Sequence, residues 1–542
     1  VYELEFMNNE TMSSLDFQYI LDKIDIKTPY GLMYKKKMKA FLPGEEESLR
    51  EELDRIDRLL PFLDDGFINS IHTVFCSIKD IRNTIQRAMK GMILSEVELF
   101  EIKSFLFSVR DLEAILAERK IEDYDIKAVR ELEKSLDPDN TGICTFYIYD
   151  SYSDELRNIR QEIRNIEGDI KKARKAAKEK VEEDINIRIN PDGTVTVPKE
   201  NINLVDKLKN HPYLSYISEN YLYIKYSIRK TEDVLLLENK LLVLKDKEEK
   251  EEERIRKSLT DKVNSSAKKI WRNIANIGKL DFLMAKAMLA VEIKAVKPNI
   301  VSDHIISIKK GRHPKIEEML NKKGLRFTPI SVFLKEGVTV ITGANMGGKT
   351  VSLKLIGLLA CMAQHGLFVP AEEMTLGLNG FIKSSIGDLQ SIDRGLSTFG
   401  SEIKLIEEAI EIADKKGLIL VDELARGTNP REGYAISKAI VQYLKEKPSI
   451  TIMTTHYDNI GDMEGILHLQ VVGLSNINFK ELESRLYGLT SDRLEVINSL
   501  MNYELMEVEK VAQVPKDAIN IARIMGLNPE IIKLAEKNLE QE

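Results

Sequence analysis

Cysteine is scarce in this chain: Cys76, Cys144 and Cys361 are the only three in 542 residues, widely separated and without C-x-x-C spacing. That excludes a disulfide framework and points to reduced, buried thiols. No apolar run approaches the ~18 residues a spanning helix needs, and the acidic, polar N-terminus does not resemble a signal peptide, so no membrane partner and a cytoplasmic location are expected. Neither sign of charge dominates, with 79 basic and 87 acidic side chains and a net charge of −8. A duplex-binding surface would need a local basic stripe, so the average charge argues mildly against nucleic acid. Proline is missing from 62 to 137, and both glycine and proline are missing from Tyr213 to Asn276.

The breaker-free stretches organise the reading. With 43% hydrophobic and 31% charged residues, the chain can build two or more domains with ample core. Apolar residues recur at helical spacing through Val97 to Leu116, which predicts a helical bundle over 1–150, entered through Leu15-Asp16-Phe17 and punctuated at Leu42-Pro43-Gly44. From Ser153 to Glu183 alternating charges enclose Ile159, Ile163, Ile166 and Ile170, the pattern of a long solvated helix and one arm of a coiled pair. Ile185, Ile187 and Ile189 then alternate with polar residues, Asn190-Pro191-Asp192-Gly193 supplies turn chemistry, and Val195 and Val197 resume, predicting a β-hairpin. The stretch from Tyr213 to Asn276 fits a second long helix.

Residues 343 to 350 read GANMGGKT, a complete G-x-x-x-x-G-K-[ST] loop between the apolar strand Val338–Ile341 and the helix-like run Val351–Gln364. Such a loop turns its backbone N–H groups toward one anion, a geometry that Gly343, Gly347 and Gly348 permit. The following helix directs its positive end at phosphates, Lys349 can reach the β and γ oxygens, and Thr350 offers a hydroxyl to Mg²⁺. Leu418 to Val421 form an apolar strand ending in Asp422-Glu423. Asp422 is placed to hold Mg²⁺ through water, and Glu423 to orient or deprotonate the attacking water. A third strand, Ile450 to Thr455, ends at His456 and follows one crossover helix, Gly433 to Lys445. It should neighbour the acidic strand and bring the imidazole near the γ-phosphate; of a structural and a sensor role, the sensor is preferred. Ser397 and Thr398 sit at a helix N-cap with Glu402 inside it, which explains them as caps and equally makes an anion site.

Taken in order, GRHP (311–314), TGANMGGKT (342–350), GDLQS and LSTF (387–399), VDELARGTNP (421–430) and TTHY (454–457) resemble the MutS family of ABC-class ATPases. Within the ATPase part the wording is nearest to the second MutS subfamily. The resemblance implies an α/β P-loop ATPase beside an all-α core with long coiled lever helices and a small clamp tip. It implies ATP and Mg²⁺ as cofactors, with Asn345 and Met346 joining Gly343 to Thr350 in the nucleotide loop. It also implies a homodimer, or a heterodimer with a related ATPase, in which Gln390 links Mg²⁺ or water to the signature helix and Ser397 reaches a partner's γ-phosphate. The corresponding division is helical core 1–150, ascending lever 151–184, clamp tip 185–228, returning lever and core 229–300, ATPase 301–500 and C-terminal dimerisation helices 501–542.

Departures from the family leave the substrate open. The mismatch-reading N-terminal domain and the C-terminal Smr nuclease domain are expected to be missing, and Leu214 to Tyr226 replaces a Gly/Ser-rich clamp motif. The C-terminal turn around Gly526, with Pro515 and Pro529 at helix starts, reads either as a DNA-binding helix-turn-helix or, by resemblance, as a dimerisation element. DNA is the family default, with Lys207, Lys209, Lys225, Arg229 and Lys230 as candidate contacts diluted by Asp206, Glu219, Glu232 and Asp233. The alternative is a protein client, because the DELARGTNP wording resembles ATPase subunits of reactivating factors for adenosylcobalamin-dependent aminomutases.

Overall fold

A computed structural model describes residues 5–343, 348–386, 398–425, 428–473 and 502–508, together with 519, 522–523 and 525–539. The chain groups into two compact units, one formed by 1–72 with 278–542 and the other by 73–277.

The second unit is helical at its base. Helix Glu96–Glu118 starts at a capping box, Ser95 accepting from the Glu98 amide while the Glu98 side chain accepts from the Ser95 amide. Its fully buried Lys103 is neutralised by Asp137 at 3.2 Å and donates to the Thr145 carbonyl at 2.9 Å. Two long helices follow, Asp154–Ile185 and Glu232–Glu292, the latter continuing across the boundary between the units. Ile159 and Ile163 of the first meet Leu244 of the second, flanked by Ile166 and Leu241, the seam expected of a coiled pair. Arg160 locks that seam by forking onto Asp150 (2.6 Å), Glu248 (2.9 Å) and Glu252 (2.7 Å).

The far end of this pair differs from the sequence expectation. The isoleucines at 185, 187 and 189 form no strand: the first helix runs through Ile185 and ends at left-handed Asn186. Asn190 to Gly193 does turn the chain, but into β1 (Thr194–Pro198), which pairs antiparallel with β3 (Tyr223–Ile228). The hairpin is instead β2 (Leu214–Glu219) with β3, giving the sheet order β1-β3-β2. Val195, Val197, Leu208, Leu214, Ile224 and Tyr226 close a small core against Val181 and Ile185.

Among the described residues the first unit holds two sheets. One is four-stranded, in the order β4 (Asn299–Val301), β8 (Glu373–Gly377), β5 (Ile305–Gly311), β6 (Ile330–Lys335). The other runs β13 (Asn502–Glu507), β12 (Leu467–Gly473), β7 (Gly337–Thr342), β11 (Ile450–Thr454), β10 (Leu418–Val421), β9 (Ile382–Ser385). All its neighbours are parallel except the β12–β13 pair. Strands β7, β10 and β11 are buried along their whole length, as apolar runs covered on both faces should be. Helices Thr398–Glu411 and Pro430–Leu444 cover one face through Ile406, Ala409, Val441 and Leu444.

The N-terminal segment is part of the same unit. Leu15 is fully buried, and a Cβ added at Gly357 of the phosphate-loop helix would lie 2.5 Å from its Cδ2, so that glycine is required by close approach. The Ile382 amide donates to the Phe6 carbonyl at 2.7 Å, extending the edge of β9. Cys361 is buried as expected, whereas Cys76 and Cys144 are exposed, since their helix and loop positions face water. Among the described residues no helix is long and apolar enough to cross a membrane.

Candidate nucleotide-phosphate site

Three parallel strands, β7, β11 and β10, end at one edge of the main sheet, the edge where open α/β sheets take their ligands. β7 leads into the loop at Gly343 and helix Gly348–Gln364, β10 delivers Asp422 and Glu423, and β11 lies between them and ends at Thr454, two residues before His456. The phosphate loop and the acidic pair are therefore two strand spacings apart, about 10 Å. Side chains span that gap.

Thr350 donates to Asp422 Oδ2 at 2.7 Å. Thr454 donates to Asp422 Oδ1 at 2.6 Å and accepts from the Glu423 amide at 2.9 Å. Glu423 Oε1 lies 2.8 Å from His456 Nε2 and 3.6 Å from Lys349 Nζ. Lys349, only 2% exposed, donates to the Gly343 carbonyl at 3.0 Å and lies 3.2 Å from His456 Nδ1. An ammonium has no lone pair to offer, so His456 Nδ1 is the acceptor toward lysine. Nε2 then carries the ring proton and donates it to Glu423. The imidazole thus relays a hydrogen bond from the loop lysine to the carboxylate.

Backbone conformation aims Glu423. Glu423 and Ala425 have φ of 49° and 62°, left-handed values that cost a non-glycine residue roughly 1–2 kcal/mol each. The Glu423–Thr454 bond and the burial of Ala425 hold the turn in place. At the loop's entrance Gly343 has φ 120°, and an added Cβ would sit 3.1 Å from the Val471 carbonyl. At Gly348 it would meet the Tyr503 ring at 2.7 Å. Both positions are closed to any larger residue.

The GRHP segment serves the framework. Arg312 bonds Glu317 at 2.7 Å and the carbonyls of Ile293 and Lys294 at 2.8 Å. His313 is buried and caps helix Pro314–Lys322; burial pushes its pKa down to about 4, opposed by the Asp16 carboxylate and aided by Lys354 and Lys315. Asp16 also accepts from Lys315 at 2.5 Å and lies 3.5 Å from Lys354, which belongs to the phosphate-loop helix.

Of the residues singled out from sequence, Gly343, Gly348, Lys349, Thr350, Asp422, Glu423 and His456 are brought together here. Asn345, Met346, Gly347, Gln390 and Ser397 lie outside the described residues. Thr454 was missed, although it stands in the TTHY motif; its signal is a hydroxyl at the end of the strand between loop and acids. At the hairpin end, Lys225 lies 3.9 Å from Asp192 and Lys230 2.7 Å from Glu238, so these two cations have acidic partners.

The donor set fits a magnesium nucleotide. One carboxylate and one hydroxyl, both hard oxygen donors, suit an ion that keeps several waters and binds substrate phosphates. Strand order, the glycines at 343 and 348, the lysine and the acidic pair together define a phosphate-loop nucleotide-binding domain. Residues 339–539 match MutS domain V. The chain is 32% identical over 473 residues to the endonuclease MutS2 of Acetivibrio thermocellus, covering 84% of this chain and 57% of that protein. It is 30% identical over 564 residues to the endonuclease MutS2 of Caldanaerobacter subterraneus subsp. tengcongensis, covering 99% and 65%. Against that of Shouchella clausii the figures are 34% over 425 residues, 74% and 52%. Residues 339–539 thus carry a MutS domain V, in a chain similar over most of its length to these MutS2 proteins. The chain spans between 52% and 65% of the length of these curated relatives.

Proposed function

We propose that this chain is a MutS-type ATPase that hydrolyses Mg²⁺-ATP at sites completed across a dimer and uses the cycle to move its paired long helices as lever arms. The observation that carries the reading is the continuous link Thr350–Asp422–Thr454–Glu423–His456–Lys349, which joins phosphate loop and acidic strand through side chains and the Glu423 amide. In it Lys349 and the loop amides bind the β and γ oxygens, and Thr350 with Asp422 hold the metal, which when bound neutralises phosphate charge. Glu423 takes the proton of the attacking water. His456, bonded to Glu423, fixes that carboxylate's orientation and senses the lysine. Gln390 and Ser397 of the signature segment are assigned to the metal or water and to the partner's γ-phosphate.

DNA is the first candidate for what the arms act upon, because the relatives bear the name endonuclease MutS2. A protein client is the second reading, favoured by the hairpin at the end of the arms, whose charged residues Glu219 and Lys225 sum to zero. ATP hydrolysis by the purified chain tests the site: Glu423→Gln should bind Mg²⁺-ATP but turn it over at least about a hundredfold more slowly. Wild-type turnover in that variant would remove Glu423 as the base. Stimulation by duplex or branched DNA at low salt would decide for the first reading, and its absence against it.

A further inference from the structure

The β2–β3 hairpin carries a surface for which the nucleotide site has no use. Tyr221 at its turn is 93% exposed, Tyr216 58% and Leu222 56%, with Ile217 and Tyr223 beside them and Ile202 also open. Grouped apolar exposure of this kind marks an interaction site rather than ordinary surface. The ladder explains part of it: a register shift between Tyr216 and Ser218 leaves Ile217 as an extra residue, so two consecutive side chains turn outward. Among the described residues β2 pairs with β3 alone, leaving its other edge open. Edges are normally guarded by lysine, proline or inward charge. Leu214–Glu219 contains no lysine, arginine or proline, whereas the opposite edge strand β1 ends in Pro198.

Charge selects the occupant. From Leu214 to Ile228 the only charged residues are Glu219 and Lys225, which sum to zero. Both are engaged, Glu219 with Lys199 at 3.4 Å and Lys225 with Asp192 at 3.9 Å. A nucleic-acid strand requires a positive track along its phosphates, and this hairpin has none. An uncharged extended peptide matches it, with backbone groups for the open edge and apolar side chains for Tyr216, Tyr221 and Leu222.

We propose that the β2–β3 hairpin is a docking site for an extended, uncharged apolar segment of a protein client, received by strand addition along β2. The proposal rests on the protein-client reading above and gives it a surface. Its test uses the full chain and fluorescently labelled, reduced and carbamidomethylated α-lactalbumin, a soluble chain that exposes such segments. The probe should bind the wild-type protein and Tyr221→Phe equally. Ile217→Lys, which places a guard on the edge, and the double variant Tyr221→Ser with Leu222→Ser should each bind roughly tenfold more weakly. Their circular dichroism and basal ATP turnover should match the wild type. No probe binding, or equal binding by the variants, overturns the proposal. So does tyrosine-dependent binding of an oligo-dT strand, which would make the hairpin a base-stacking platform, or dissociation of the variants to monomers, which would make its occupant a second copy. Basal turnover, lost in Lys349→Ala, reports separately on the ATPase reading.

Discussion

Thr454→Val isolates the link between the acidic strand and the phosphate loop. Valine keeps the shape of threonine and removes the hydroxyl that bonds Asp422 at 2.6 Å and receives the Glu423 amide at 2.9 Å. A hydrogen bond to a charged group contributes about 1.5–3 kcal/mol. Asp422 keeps its bond from Thr350 at 2.7 Å, so it stays in the site but loses the partner that fixes its second oxygen. Loss of such an orienting partner typically weakens metal affinity or activity by about 10- to 100-fold, equivalent to about 1.4–2.8 kcal/mol. The assay is ATP hydrolysis across a magnesium titration. The half-saturating magnesium concentration should rise by that factor, turnover should recover at high magnesium to within about tenfold of wild type, and Thr454→Ser should restore both. An unchanged magnesium dependence, with only a lower melting temperature, would show that the hydroxyl serves folding alone.

Acid should destabilise the first unit through two buried imidazoles. Burial holds His313 and His365 each down at about 4, against 6.5 in the unfolded chain. The unfolded state therefore binds more protons below pH 6.5, and stability falls as pH drops from 6.5 toward 4, by about 3 kcal/mol for each histidine. Melting temperature measured across that window should fall more steeply in wild type than in His365→Gln, and parallel curves would count against the assignment. Gly278→Ala should lose about 1–3 kcal/mol in chemical denaturation despite better helix propensity, because its Cβ would lie 2.9 Å from the rigid Tyr30 backbone. Arg160→Leu removes the cation facing Asp150, Glu248 and Glu252 and should raise hydrogen exchange in helix Asp154–Ile185; unaltered protection would show the fork to be ornamental. Arg160→Lys should restore protection only in part, since an ammonium cannot copy the fork.

The strands of the nucleotide site were legible because each is a short apolar run closed by a chemically marked residue, at Gly343, Asp422 and His456. Their order was legible in part, since β11 does neighbour β10 as the single crossover helix led one to expect. Placing β11 between β7 and β10 depends on which crossover each helix makes, which local pattern does not specify. The hairpin was misplaced for a definite reason. Val181 and Ile185 lie one helical turn apart and belong to the helix face, and their continuation into Ile187 and Ile189 imitates strand alternation. The true hairpin turns at Asn220-Tyr221-Leu222, without the glycine or proline that normally announces a turn, and was read into the second long helix. Thr454 escaped notice because its hydroxyl points along the sheet edge to a residue 32 positions away, a contact invisible in a linear string.

The interleaving of the first unit has a consequence for biosynthesis. Its N-terminal segment finds partners only late: Phe6 waits for Ile382, Leu15 for Gly357 and Phe41 for Gln364. At a ribosomal pace of about 5–20 residues per second, the interval between Phe6 and Ile382 is roughly 20–75 seconds. Meanwhile residues 73–277 can collapse as their own unit. Nascent chains should thus expose Leu15, Phe17 and Ile20 until residues 357–382 have been made, making these helices the natural place for a ribosome-associated chaperone to hold.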